Sequence, residues 1–134
     1  MDTNIIVRAV SGRSLSSVIF DALLNQHYAL YLSHDILLEY EEKLMQIFDA
    51  EIAELVIGTL LILPNVYKTE FFYDLRLIVQ DADDDKFVNC AFSANAHYLV
   101  SDDKHYRVLA KVDFPKIAVL KFDEFKNILL ENNS

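Results

Sequence analysis

The sequence predicts an α/β domain with a mostly parallel sheet, because short β-branched runs alternate with helix-period stripes along its length. Two further features agree. Only 2 Gly and 2 Pro occur, too few turn residues for an all-β sandwich. Apolar residues make up 53% of the 134, enough for a substantial core. No repeat, linker or compositional break divides the chain, so one domain over residues 1–134 is expected.

In chain order, Ile5–Val7 is short, apolar and β-branched and is expected as a buried strand or its end. Ser14 to Gln26 carries Leu15, Val18, Ile19, Ala22 and Leu23 on one helical face. Tyr28 to Leu32 reads as a strand. Ser33 then suits a helix N-cap, with Asp35 favourable to the dipole in the first turn. The helix it opens runs to about Phe48, with a stripe of Ile36, Leu37, Tyr40, Leu44, Ile47 and Phe48. A further helix from Ala50 to Leu63 stops before Pro64. Short strands are expected around Val66–Tyr67 and Leu77–Val79, and a helix over Lys86–Asn95 with Phe87, Ala91 and Ala94 inward. Tyr98–Val100 and Ile117–Leu120 read as strands, and Phe122 to Leu130 as the last helix.

Charge narrows the function. Asp+Glu is 21 against 12 Lys+Arg, a net charge of −9, so overall attraction cannot hold a phosphate backbone; a local basic patch or a bridging cation is needed. The lone Cys90 excludes an internal disulfide and any multi-cysteine zinc site, and its apolar neighbours place it in the core. His27, His34, His97 and His105 show no metal-binding spacing. With no leader and no membrane-length apolar run, a cytoplasmic setting is expected.

Open parallel sheets place their chemistry beyond the carboxyl ends of strands, which draws the eye to the acids there. Between residues 81 and 103 stand six Asp and one Lys. Asp81, Asp83 and Asp84 read as a solvated turn, whereas Asp103 follows Ser101 and a buried strand directly. Glu39 lies about 120° from the centre of its helix stripe, at the border of core and solvent. There it either pairs with Lys43 at i+4 or turns to a site, and geometry alone leaves both open. Converging carboxylates repel unless a cation neutralises them, and an all-oxygen set favours Mg²⁺ or Mn²⁺. Arg8, Arg13, Lys43, Lys86, Lys104 and Arg107 are the cations available to flank such a cleft.

Four segments in register resemble one family. They are Asp2-Thr3-Asn4 with Ile-Ile-Val, Ser33-x-x-Ile36-Leu37-x-Glu39, Asp81-Ala-Asp-Asp-Asp85-Lys-Phe87 with Ala91, and Tyr98-Leu-Val-Ser101-Asp-Asp103-Lys104. Together they resemble PIN-domain ribonucleases, closest to the VapC-like toxins of toxin–antitoxin pairs. The resemblance implies a Rossmann-like α/β/α sandwich and hydrolysis of RNA phosphodiester bonds with Mg²⁺ or Mn²⁺. It maps the catalytic and metal-binding acids onto Asp2, Glu39, Asp85 and Asp103, with Asn4 and Ser101 in support. The family spacing selects Asp85, which lies 101 − 85 = 16 residues before Ser101. It further implies a cognate antitoxin protein lying over the groove and a homodimer, to which the 53% apolar content also points. Family members have an apolar central strand ahead of the first acid. Here only Met1 precedes Asp2, so that strand is expected to be truncated and cleavage weak.

Two other readings compete. A phosphoacceptor receiver also uses strand-end Asp, Ser and Lys, but it wants an acidic pair after its first strand, where Asn4 stands. The same Asn4 argues against an aspartyl-nucleophile phosphatase. A non-catalytic scaffold working through protein partners is the remaining alternative.

Overall fold

The computed structural model describes residues 1–11, 17–69, 85–111 and 117–132, of which 85, 107, 108, 110, 111 and 132 are described by backbone alone. The expected strand at Leu77–Val79 and the turn Asp81–Asp84 lie outside the described residues, as do Arg13 and the Ser14–Ser16 start of the first expected helix. What is described is a mixed α/β chain with parallel strands and six α-helices.

The first segment differs from expectation. Ile5–Val7 is not a strand but the middle of helix α1 (Thr3–Val10). Ile5, Ile6 and Ala9 fall at i, i+1 and i+4, and all three are buried at 1% exposure or less. A three-residue apolar run fits either period, and here burial on one helical face decides against β propensity. Ahead of α1 only the Asp2 N–H pairs with a strand, donating to the Val100 carbonyl at 2.9 Å.

The remaining elements follow the sequence pattern closely. Helix α2 (Ser17–Leu24) leads to strand β1 (Leu30–Leu32), helix α3 (His34–Ile47), helix α4 (Ala50–Ile62) and strand β2 (Val66–Lys68). Helix α5 (Asp85–Ser93), strand β3 (Leu99–Val100), a 3₁₀ segment (Lys104–Lys111), strand β4 (Val119–Leu120) and helix α6 (Phe122–Asn132) complete the chain. Ser33 caps α3, its Oγ accepting the Ile36 N–H at 3.2 Å, and Asp49 caps α4 through the Ile52 N–H at 2.8 Å. The last turn of α3 departs from the expected stripe. Ile47 and Phe48 are 50% and 36% exposed, because the helix has by then run past the core. Tyr98, expected inside a strand, is also exposed.

Helices α2 and α5 end alike. Gln26 and Asn95 take left-handed backbone (φ 60° and 52°), and the His27 and Ala96 N–H groups reach back to Ala22 and Ala91 at 2.8 and 2.9 Å. Each turn is followed by a His-Tyr pair that lies ahead of the next strand.

Among the described residues the strands form two parallel pairs, β1 with β2 and β3 with β4. Leu30 and Leu32 bond toward β2, and Leu99 and Ser101 toward β4. The alternation of a parallel ladder therefore turns the backbone of Tyr31 and Val100 the other way. A cavity of about 430 Å³ lies against both pairs, lined by Leu30, Tyr31, Leu99, Val100, Met1 and Cys90 among others. One core cluster joins β1, α3, α4, α5 and β3. A second seats Phe122, Phe125 and Leu129 of α6 against Ile5, Ile19 and Val100. Asn65 ties β2 to the α2–β1 turn, donating from Nδ2 to the Leu23 and Tyr28 carbonyls at 2.9 and 2.8 Å. Cys90 is in the core as expected, and burial pushes its thiol up to about 11.

Candidate functional site

Strand β3 and the start of α1 build one site between them. Strand β3 ends at Val100, and Ser101 keeps one backbone bond to Leu120 while its side chain turns to the start of α1. Ser101 is buried at 2% exposure, and its hydroxyl donates to Asp2 Oδ2 at 2.7 Å. The same Oγ accepts the Asp103 N–H at 3.0 Å. One serine therefore fixes both Asp2, from the first residues of the chain, and the backbone of Asp103, about a hundred positions later.

Asp2 stands at the N-cap of α1, yet its side chain does not cap the helix. An Asp in that place ordinarily satisfies a free N–H of the first turn. Here the carboxylate, in a residue only 6% exposed, meets the Ser101 hydroxyl, with the Thr3 N–H and the N-terminal ammonium also favouring its charged form. Burial raises its pKa above the ordinary value; the Ser101 hydrogen bond pulls it down, and the Asp103 charge adds to the rise. Asp103 is partly exposed. Its Oδ1 accepts the His105 N–H at 2.9 Å and lies 3.4 Å from His105 Nδ1, so it also opens the 3₁₀ segment.

Glu39 joins through Thr3. The buried Thr3 hydroxyl donates to Glu39 Oε2, and Lys86 Nζ stands 2.6 Å from Oε1. Of the two readings the sequence left open, pairing with Lys43 at i+4 is not the one observed. Glu39 looks inward across to α5, and Tyr40 beside it donates its hydroxyl to the Met1 carbonyl. The contacts thus run Lys86–Glu39–Thr3 and, one residue along, Asp2–Ser101–Asp103. Thr3 was not singled out by sequence reasoning, although it lies between Asp2 and Asn4. Lys86 carried a weak signal: a cation in the first turn of a helix opposes the dipole, so its place needs a tertiary reason.

Other expected positions fall differently. Asn4 is exposed, with no contact to these carboxylates among the described residues. Asp85 begins α5 next to Lys86, and its side chain lies outside the described residues. Asp102 is architectural: Oδ1 accepts the Phe122 N–H at 2.9 Å at the start of α6, and Oδ2 meets Arg8 at 3.5 Å. Arg8 also stacks over the Phe122 ring at 3.8 Å, so it belongs to that corner and not to the contacts around Asp2 and Glu39.

This arrangement joins a strand-end Ser-Asp-Asp, an N-terminal Asp-Thr and a Glu from α3 in one contact chain. Comparison with protein families matches residues 1–105 to the PIN domain. The chain belongs to the PIN domain family. No curated protein and no solved structure matches it.

PIN domains as a family are typically nucleases that use divalent metals, and the donor chemistry here is of the right kind. Asp2, Glu39 and Asp103 offer oxygen only, the donor type hard dications prefer. Among the described residues, however, no three such side chains are grouped closely enough to hold an ion. Glu39 instead has both oxygens engaged, by Thr3 and by the Lys86 ammonium. No helix among the described residues is long and apolar enough to cross a membrane.

Proposed function

We propose that this PIN domain is a metal-dependent endoribonuclease of the toxin type, hydrolysing RNA phosphodiester bonds with Mg²⁺ or Mn²⁺. The observation that carries the reading is Ser101, whose single hydroxyl ties Asp2 to the backbone of Asp103 in the interior. Holding a carboxylate buried beside another acid costs stability unless positive charge joins it, and such costs concentrate at functional sites. Asp2, Glu39, Asp85 and Asp103 would hold the ion. When bound, it supplies a Lewis acid for the phosphodiester oxygen and acidifies water for attack.

The chain's own residues do the positioning. Ser101 fixes the rotamer of Asp2, and Thr3 fixes Glu39, so neither carboxylate must be ordered when RNA arrives. With a net charge of −9 and Lys86 already paired with Glu39, acceptance of a phosphate would depend on the bound cation. A cognate antitoxin covering the groove would keep such an activity in check.

Asp85→Asn and Asp103→Asn are each expected to reduce cleavage of a fluorescent RNA by about a hundredfold or more, with circular dichroism unchanged. Chelation by EDTA should do the same to the unaltered chain. Full cleavage by both variants would remove the assignment. A second reading has one observation in its favour: with Lys86 already neutralising Glu39, the domain is competent as a non-catalytic scaffold. Absence of cleavage in excess Mn²⁺ would favour that reading.

A further inference from the structure

The two oxygens of Glu39 meet donors of different charge. The Thr3 hydroxyl takes Oε2, and Lys86 Nζ stands 2.6 Å from Oε1. A neutral hydroxyl leaves the carboxylate the negative charge that would draw a cation. The ammonium offsets that charge and covers the oxygen. Among the described residues, neither Asp2 nor Asp103 has a lysine or arginine on it.

The place of Lys86 has no local cause. It lies in the first turn of α5, where a cation opposes the helix dipole. Its side chain is only 18% exposed, although lysines mostly stand in water. Phe87, itself buried, keeps the stem close, with its ring 5.8 Å from the ammonium. The pair also accounts for the spread of the acids. Among the described residues no three stand close enough to hold an ion. Lys86 draws Glu39 across to α5, while Asp2 and Asp103 are tied to Ser101.

We infer that Lys86 is a built-in stand-in for the metal: its ammonium holds Glu39 in the absence of a dication and must withdraw before that carboxylate is open to one. The inference rests on reading these acids as a divalent-metal site. It makes Lys86 a positioning residue that acts through Glu39. Charge favours the exchange, since an ammonium offsets one carboxylate while a dication shared by two of these acids offsets both. Lysine suits the part. It carries a compact, strongly hydrated charge on a flexible four-carbon stem, and at 18% exposure it has a way back to water. An arginine would grip the carboxylate with two parallel bonds and give it up less readily.

Calorimetric titration of the full chain with Mn²⁺ reads the inference without RNA or cleavage. Lys86→Met keeps an apolar stem beside Phe87 and removes the charge. It is expected to bind Mn²⁺ about tenfold more tightly than the unaltered chain, because apparent affinity falls with the fraction of molecules whose site is open. Lys86→Gln, which keeps a hydrogen-bond donor for Glu39, should shift affinity the same way. Lys43→Gln removes an equal charge from an exposed position of α3, four residues from Glu39, and should leave affinity unchanged. In EDTA Lys86→Met should melt below the unaltered protein, and saturating Mn²⁺ should close the gap. A merely structural ion pair would reproduce the lower melting temperature but not the tighter binding. Unchanged or weaker Mn²⁺ binding by both Lys86 variants would overturn the inference and leave the metal reading standing. Equal tightening by Lys43→Gln would also overturn it, since net charge would then be the cause. If no chain, altered or not, binds Mn²⁺, the metal reading itself fails and the inference falls with it.

Discussion

At Asp2 burial and hydrogen bonding pull in opposite directions, and burial prevails, so the carboxyl holds its proton more tightly folded than unfolded. The native state then binds more protons just above the ordinary aspartate pKa of 3.8, and stability falls as pH rises through that range. Asp2→Asn removes the titrating group but keeps an oxygen for Ser101. In EDTA the variant is expected to melt above the unaltered protein near neutral pH. The difference should shrink as pH falls below the ordinary aspartate value. Equal melting temperatures at neutral pH would show that the carboxylate is not under strain. Ser101→Ala acts in the reverse direction. It strips a buried carboxylate of its donor and the Asp103 N–H of its acceptor, and it should cost roughly 2 kcal/mol in urea unfolding. Of these residues Asp2, Ser101 and Asp103 were singled out in the sequence, Asp2 and Ser101 through the family resemblance and Asp103 also by its place after a buried strand, and the structure joins the three by hydrogen bonds. Thr3 was not singled out, because a Thr next to an Asp has no signature until its partner 36 positions away is known.

Among the elements, helices were more legible than strands. Ser33 and Asp49 announce α3 and α4, and their capping bonds form as the pattern requires. Ile5–Val7 misled because three β-branched residues propose a strand while the spacing of Ile5, Ile6 and Ala9 also makes a helical face. The turn after α2 carries a local conflict. Gln26 holds φ at 60° without the glycine that such a position favours, and it is exposed. Gln26→Gly is expected to stabilise the protein by about 0.5–1 kcal/mol, measured as a shift of the urea midpoint. Asn95, in the same conformation after α5, tolerates it better, since asparagine enters the left-handed region more readily. Substitution there should therefore gain less.

For the whole molecule, the balance of charge sets a test of the proposed encounter with RNA. A net charge of −9 opposes a polyanion, and two of the cations near the site are engaged: Arg8 with Asp102 and Lys86 with Glu39. In EDTA, binding of a short RNA should be weak and should not fall as salt is raised, the opposite of a basic binding surface. Added Mn²⁺ should restore binding; strong, salt-weakened binding in EDTA would place RNA on a cationic surface instead. Composition fixed that expectation, as the alternation of short apolar runs with helical stripes fixed an α/β chain with parallel strands. Those properties are sums or local periods, and a sequence states them directly. Only the tertiary structure decided that the strands among the described residues stand as two pairs, that Glu39 turns to Lys86 and not Lys43, and that Thr3 and Ser101 bind the acids into one chain of contacts. Each depends on which distant segments pack together, and side-chain direction across a core is set by packing, not by the neighbours in sequence.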